Sequence, residues 1–250
     1  MQTSLFEIKN LKKYFFLKNK IIKAVDDVSF EIFENETFSL VGESASGKST
    51  IAKLLCRIIE PTAGEILLNK LPLNSYKNTI SQVQMIFQDP YLSLNPMMKI
   101  KNIISEPLKI NFKLSKKEML KKVDFLLERV NLVSKLKESY PHELSGGQRQ
   151  RVAIARALSL NPKLLICDEI LSSLDDKNSF NILSFLKELK KKEKISFLFI
   201  THDLSIAKHF SERTAVIYNG KIVEIGKTRE IFKNPTHEYT NVLFNSSFLK

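Results

Sequence analysis

Leu40-Val41-Gly42-Glu43-Ser44-Ala45-Ser46-Gly47-Lys48-Ser49-Thr50 is the stretch on which the reading of this chain turns. An apolar alternating run (Phe38, Leu40) stops at Gly42, and a helical pattern of apolar residues (Ile51, Leu54, Leu55, Ile58) starts beyond Lys48. Between them stands G-x-x-x-x-G-K-S, a spacing that suits one kind of chemistry. Glycines let successive backbone N–H groups curl around a phosphate without a Cβ in the way, and the new helix turns its positive end toward the same point. Lys48 is placed to reach the outer phosphates of a nucleoside triphosphate, and the Ser49 hydroxyl to ligate Mg²⁺. A chance match in a chain of this length has odds on the order of one in a hundred at average glycine usage. Glycine is scarcer than average here, 7 in 250 residues, which weakens the accidental explanation further.

The surrounding composition is that of a globular chain, 43% hydrophobic and 26% charged, long enough for one elaborate domain. The net charge of +12 admits a nucleic-acid or anionic-membrane partner. No single basic arm concentrates it, and lysine is spread through every segment, so a lysine-rich background is the simpler account. Lys187 to Lys194 (KELKKKEK) reads as the solvated end of a helix, where cations suit the dipole. Cys56 and Cys167 lie far apart in apolar stretches, which fits free thiols in a reducing compartment. Met1 to Ser4 lead into a strand-like run with no signal-peptide pattern, and no apolar segment approaches the ~20 residues of a membrane-spanning helix.

Working outward from the loop, residues 4–10 and 22–33 read as strands, the second with Val28, Phe30 and Ile32 on one face. Pro61 to Gly64 turns into a short strand at Glu65–Leu68, and Val83–Phe87 is another. From about Tyr91 to Leu158 the pattern becomes helical. Met119, Val123, Leu126, Leu127 and Val130 make an amphipathic stripe there. Leu164-Leu165-Ile166-Cys167 is a continuous apolar run of the buried parallel-strand kind, and a helix (about 176–193), a strand (197–200) and another helix follow. Asn219-Gly220, between two β-rich runs, is a hairpin signal. The alternation predicts an α/β fold with a mostly parallel core sheet and antiparallel strands toward both ends.

Two further places carry chemistry. Asp168 comes off the apolar run at 164–167, where a phosphate loop needs a carboxylate for Mg²⁺. Glu169 follows it. Side chains alternate along a strand, so the two face different ways; Asp168 suits the metal and Glu169 a general base for the attacking water. Leu144-Ser145-Gly146-Gly147-Gln148 then forms a second glycine-rich cradle at a helix start, with a serine hydroxyl available to a phosphate. Four of the seven glycines thus sit in two anion-binding loops. One site has no evident use for two such cradles; two chains packed head to tail would use both.

At this point the chain resembles the ATPase subunits of ABC transporters. Leu144 to Gln148 is similar to their signature motif, and the other family motifs occur in order across residues 4–240. The resemblance implies a single domain, 1–250, of the P-loop NTPase type: a RecA-like core (about 1–90 and 159–250) with an antiparallel β part, and an inserted α-helical subdomain (about 91–158). It also implies the site. ATP would be bound by Tyr14, stacking on adenine, by Gly42, Glu43, Ser44, Ala45, Ser46, Gly47, Lys48, Ser49 and Thr50, and by Gln88. Ser145, Gly146, Gly147 and Gln148 would close the site of a second chain. Mg²⁺ would be held by Ser49, Gln88 and Asp168, and catalysis would rest on Glu169, His202 and Lys48. Ser172-Ser173-Leu174-Asp175 resembles the family's D-loop.

Phe87 to Pro96 and Pro235-Thr236-His237-Glu238-Tyr239-Thr240 resemble stretches of the oligopeptide, dipeptide and nickel importers, specifically their second ATPase subunit. That resemblance implies a peripheral protein on the cytoplasmic face of the inner membrane. Its partners would be a second ATPase subunit (a paralogue, or a second copy), two transmembrane permease subunits and, indirectly, a periplasmic or surface solute-binding protein, with no nucleic acid. The rival is a soluble ABC ATPase acting on nucleic acid or ribosomes, which usually carries two cassettes or a long inserted coiled coil. Three departures stand out. Ala45 replaces a loop glycine, tolerable where its φ is negative. Ile170-Leu171 replaces Pro-Thr and is expected to leave the loop after Glu169 less constrained. Asn35 replaces a turn glycine, which is mild because asparagine tolerates the left-handed region.

Overall fold

Two long alternating runs begin the computed structural model, which describes residues 3–18, 20–76, 79–172 and 174–248. They are β1 (Ser4–Leu17) and β2 (Lys20–Phe33), paired antiparallel. β3 (Thr37–Val41) leads through the glycine loop into α1 (Lys48–Leu55), and β4 (Ala63–Leu68) and β5 (Leu71–Pro72) follow. Next come α2 (Thr79–Gln82), β6 (Val83–Ile86), α3 (Pro90–Ser93), α4 (Ile100–Asn111), α5 (Lys116–Arg129) and α6 (Gly146–Leu158). The chain continues through β7 (Leu164–Asp168), α7 (Asp176–Glu193), β8 (Ser196–Thr201) and α8 (Leu204–Phe210). It closes with β9 (Arg213–Tyr218), β10 (Lys221–Lys227), α9 (Thr228–Lys233) and α10 (Glu238–Phe248).

These strands make two sheets, an antiparallel one in the order β2-β1-β4-β5 and one of six strands in the order β10-β9-β3-β8-β7-β6. In the second sheet β9, β3, β8, β7 and β6 run parallel, and β10 is an antiparallel edge joined to β9 through Asn219-Gly220. The mostly parallel core with antiparallel strands at both ends of the chain is as the sequence predicts. β1 runs past the expected end at residue 10. Asn10, at φ +47, marks a bulge rather than a stop, and its N–H donates to Ser29 Oγ at 2.8 Å. Asn35 takes the left-handed conformation, φ +55, that its residue type allows.

The apolar run 164–167 is continuous because β7 is covered on both faces. Leu164 and Ile166 join a core with Phe6, Ile8, Val28, Phe30, Phe38, Leu40 and Leu54, between the two sheets and α1. Leu165 and Cys167 face the other way, into a core with Ile103, Val123, Leu127, Val152 and Leu158. The helical block therefore shares one hydrophobic interior with the sheet rather than hanging from it. α5 starts on a capping box: the Glu118 N–H donates to Ser115 Oγ at 3.3 Å and the Ser115 N–H to Glu118 Oε2 at 2.9 Å. Its predicted stripe, Met119, Val123, Leu126, Leu127 and Val130, is buried throughout. Among the described residues no helix is long and apolar enough to cross a membrane. Both cysteines are free, and burial pushes the Cys56 thiol up to about 12, which suits inert packing.

Phe38, on the loop-bearing strand β3, is fully buried and stacks on Phe30 at 5.3 Å between ring centroids. Phe38→Ala is expected to lower stability by about 3–5 kcal/mol, read from the urea midpoint of the purified chain.

Candidate functional site

Parallel strands end on one edge of a sheet, and four of these ends carry the residues singled out above. The glycine loop leaves β3. His202 follows the end of its neighbour β8, Asp168 closes β7 and Gln88 lies two residues beyond β6. The sheet order β3-β8-β7-β6 thus sets phosphate loop, histidine, carboxylates and glutamine side by side, at the edge where ligands of open α/β sheets bind.

Contacts tie the row together. Ser49 Oγ donates to Asp168 Oδ1 at 3.2 Å. The Gln88 side-chain amide donates to Glu169 Oε2 at 2.9 Å, and His202 Nδ1 lies 3.3 Å from Glu169 Oε1. Glu169 sits at φ +49, a conformation that a non-glycine residue adopts only when its surroundings hold it there. Here the Glu169 N–H donates to Ile200 O at 2.9 Å, while Ser172 donates from both its N–H and its hydroxyl to Glu169 O. That backbone turn splits the carboxylates: Asp168 is buried, and Glu169 is half-buried, turned toward Gln88 and His202. Ile170 and Leu171 are buried, 2% and 7% exposed, within the core beneath the helical block. Packing therefore anchors the loop that the loss of proline was expected to free.

Ser44, Ala45, Gly47, Lys48, Ser49, Thr50, Gln88 and Glu169 line a cleft of about 600 Å³ with Phe15, Ile22, Lys23, Ala24, Asn219 and Gly220. The Lys48 ammonium donates to Gly42 O at 2.8 Å and Glu43 O at 2.7 Å. Burial pushes the Lys48 pKa down, opposed by the charges of Glu169, Asp168 and Glu43. Burial pushes Asp168 up; the Ser49 hydrogen bond pulls it back, and Glu169 raises it further. A buried carboxylate beside a hydroxyl fits a divalent cation. Among the described residues no group of three or more His, Cys, Asp and Glu forms a metal cage. Such a set suits Mg²⁺, which keeps phosphate and water oxygens as most of its ligands.

Two expectations meet a different geometry. Phe15, not Tyr14, lines the cleft, with its cross-strand partner Ile22 beside it. Tyr14 instead donates its hydroxyl to Asp26, which also pairs with Lys221. Ala45 does not have the negative φ under which its methyl would be harmless: it sits at φ +63, in the left-handed region.

Ser145, Gly146, Gly147 and Gln148 lie elsewhere. They cap α6, where the Gln148 N–H donates to Ser145 Oγ at 3.3 Å and the Ser145 N–H to Gln148 Oε1 at 3.0 Å. Ser145, Gly147 and Gln148 line a separate cleft with Asn131, Arg151 and Asn178, sharing no residue with the one at the phosphate loop. Asn178 belongs to the turn at Asp175, whose Oδ1 accepts from the Asn178 N–H at 2.9 Å. That hydrogen bond holds the Asp175 carboxyl below its ordinary value. Ser173 lies outside the described residues.

The sequence reading missed the bracing of the loop. A Cβ on Gly42 would stand 2.3 Å from Ile217 O, and one on Gly47, at φ +111, would stand 2.3 Å from Ala24 O. The Gly220 N–H donates to Ser46 O at 3.0 Å, and the Glu43 N–H to the Tyr239 hydroxyl oxygen at 3.3 Å. Asn219-Gly220 carried a turn signal and Tyr239 a family-like segment, but neither carries a local sign of what it touches.

A family model described as ABC transporter matches residues 25–172. The oligopeptide transport ATP-binding protein OppF of Bacillus subtilis is 44% identical over 98% of this chain and 83% of its own length. The dipeptide transport ATP-binding protein DppF of Haemophilus influenzae is 42% identical over 98% of this chain and 78% of its own. Among solved structures, the ATP-binding cassette MJ0796, dimeric and bound to ADP and Pi, superposes with a TM-score of 0.80 at 30% identity. It covers 90% of this chain and 99% of the cassette.

Ala45→Gly is expected to raise stability by about 1 kcal/mol by relieving the left-handed alanine, measured as thermal midpoint without nucleotide. Asp168, raised by burial, contributes stability that is present below the ordinary carboxylate pKa and lost as pH rises through its folded value. Asp168→Asn is expected to flatten the mildly acidic limb of a stability–pH profile taken by urea denaturation, while weakening Mg²⁺-dependent ATP binding.

Proposed function

The chain belongs to the ABC transporter family, and from that membership we propose that it is the ATP-hydrolysing, energy-coupling subunit of a peptide importer. The observation that carries the reading is the row at one sheet edge: phosphate loop, Ser49 with Asp168, and Glu169 held between Gln88 and His202. The matched relatives are named for oligopeptide and dipeptide transport, which favours peptides over nickel as cargo.

ATP enters the cleft above residues 42–50. Phe15, at the cleft wall, offers its ring to the base in place of Tyr14. The loop amides and the end of α1 take the phosphates, and the Lys48 ammonium exchanges the loop carbonyls for phosphate oxygens. Ser49 and Asp168, with Gln88 at the rim, would hold Mg²⁺, which supplies neutralisation of the charge between the β- and γ-phosphates. Glu169 takes a proton from the attacking water as the new P–O bond forms; the bond between the γ-phosphorus and the bridging oxygen breaks, leaving ADP and phosphate. His202, against the same carboxylate, orients it and meets the γ-phosphate. Gln88, bonded to Glu169 and set beside α3, connects nucleotide state to the exposed residues that follow it, Tyr91 and Leu92.

Two such chains face each other head to tail, so that Ser145 to Gln148 of each closes the other's ATP site. The separation of the two clefts within one chain supports this arrangement. The facing chain is a second ATPase subunit, a paralogue or another copy of this one, and both sit on two permease subunits at the cytoplasmic face of the membrane. The division into a core (1–90 and 159–250) and a helical subdomain (91–158) fits a block that moves with the permease.

Glu169→Gln is expected to retain ATP binding and to lower turnover by about a hundred- to ten-thousand-fold, measured as phosphate release by the assembled transporter. Turnover near the wild-type rate would overturn the assignment of the general base.

A further inference from the structure

The segment Pro235 to Thr240 has no part in the chemistry described above, yet it is built into the phosphate loop. Glu224, on β10, gathers it: Oε1 accepts from the Thr236 N–H at 2.9 Å and the Thr236 hydroxyl at 3.0 Å, and Oε2 from the His237 N–H at 3.1 Å. His237 Nδ1 in turn accepts from the Tyr239 N–H at 3.1 Å. So fixed, the Tyr239 ring stacks on Tyr218 with 4.1 Å between centroids. Its hydroxyl oxygen accepts from the Glu43 N–H at 3.3 Å, across 196 positions of sequence. One turn further on, Leu243 and Phe244 of α10 pack in the same cluster as Val41, the residue before Gly42.

Glu43 is the hinge of this arrangement. Its N–H is taken by Tyr239, while its carbonyl accepts from Lys48 Nζ at 2.7 Å and from the Ser46 N–H at 3.3 Å. The peptide plane that the tyrosine holds through the Glu43 N–H carries the Gly42 carbonyl on its other side, which accepts from Lys48 Nζ at 2.8 Å, so the tyrosine sets the position of one of the lysine's partners. A loop carrying a left-handed alanine at 45 depends on such outside contacts to keep one shape.

We propose that Tyr239 is a positioning residue for the phosphate loop, and that residues 235–240 form a strap whose docking sets the affinity of that loop for ATP. The inference rests on the reading of residues 42–50 as the ATP phosphate site. The strap acts on binding rather than on the chemical step, because Glu43 lies on the Lys48 side of the loop and Glu169 is not among its contacts.

The test uses the full chain for binding of a fluorescent ATP analogue with Mg²⁺, and the assembled transporter for kinetics. Tyr239→Phe keeps the stack on Tyr218 and deletes only the hydroxyl. It is expected to raise Kd and KM for ATP by about three- to tenfold with kcat and the nucleotide-free Tm held. Tyr239→Ala, which also loses the stack, lowers Tm as well, so the Phe variant carries the decision. Wild-type Kd and KM in Tyr239→Phe overturn the strap, as does a loss confined to kcat. Lys48→Ala separates the two readings: if it binds ATP like wild type, the phosphate site itself is misassigned. If it loses ATP while Tyr239→Phe does not, the strap alone fails.

Discussion

Amides that cradle a phosphate must point outward, so they cannot be spent on a ladder or helix of their own. A loop of this kind is held from outside or not at all, and the architecture around residues 42–50 answers that need. From below, β3 delivers the loop from the middle of the sheet, with β9 and β8 on either side. Laterally, Ile217 O and Ala24 O press so close to Gly42 and Gly47 that no side chain fits at either position. Above, Gly220 donates to Ser46 O, and Tyr239 takes the Glu43 N–H. Elements from both ends of the chain thus converge on one short turn. A hairpin from the antiparallel sheet and the C-terminal helices belong to the phosphate site as much as the motif does.

The same enclosure explains the electrostatics. Taking Lys48 and Asp168 partly out of water disfavours both charges, and burial is the leading cause of each shift. They are poised in opposite directions, the lysine toward neutrality and the aspartate toward protonation, and a ligand that brings phosphate charge and a divalent cation relieves both at once. The site is therefore less comfortable alone than it would be with its proposed contents, a usual signature of a binding centre.

Periodicity and motif spacing carried most of the fold. The alternation of β2, the stripe of α5 and the continuous run at 164–167 all reflect burial, which local sequence encodes directly. What escaped was whatever depends on register or on contacts distant in sequence. Tyr14 and Phe15 cannot be told apart by counting from the N-terminus, because β1 shifts register against β2 between Leu11 and Lys13 and again between Lys13 and Tyr14. Each shift resets which side chain faces the cleft. The φ of Ala45 is imposed by the loop's neighbours, not by alanine, whose own preference is the opposite. Ile170 gives up the ring stiffness of a proline, yet an apolar residue in the core restrains a backbone by packing. Asn219-Gly220 and Tyr239 bear on the loop over separations of more than 170 residues, for which the sequence holds no local sign.

The second glycine cradle gives the site its larger meaning. Ser145 caps α6 with an oxygen that accepts from Gln148 N–H, which leaves its own proton available to an external acceptor. Gly147 lies close against Asn178, whose Oδ1 would stand 3.1 Å from an added Cβ, so a side chain there would crowd the start of α7. Both residues border a different cleft from the one at Lys48. On the proposed reading, a chain that supplies two half-sites and closes neither meets another ATPase chain there. Under the proposed function ATP becomes the material of that interface: its phosphates are bound by one chain's loop and capped by the facing chain's serine and glycines. Hydrolysis, by splitting the molecule both chains hold, then weakens the contact it created. Glu169, which would start that reaction, is bonded to Gln88, next to the segment that leads into the helical block. On that reading, closing of the pair and movement of the permease follow from the surroundings of one carboxylate, with Gln88 as the connection.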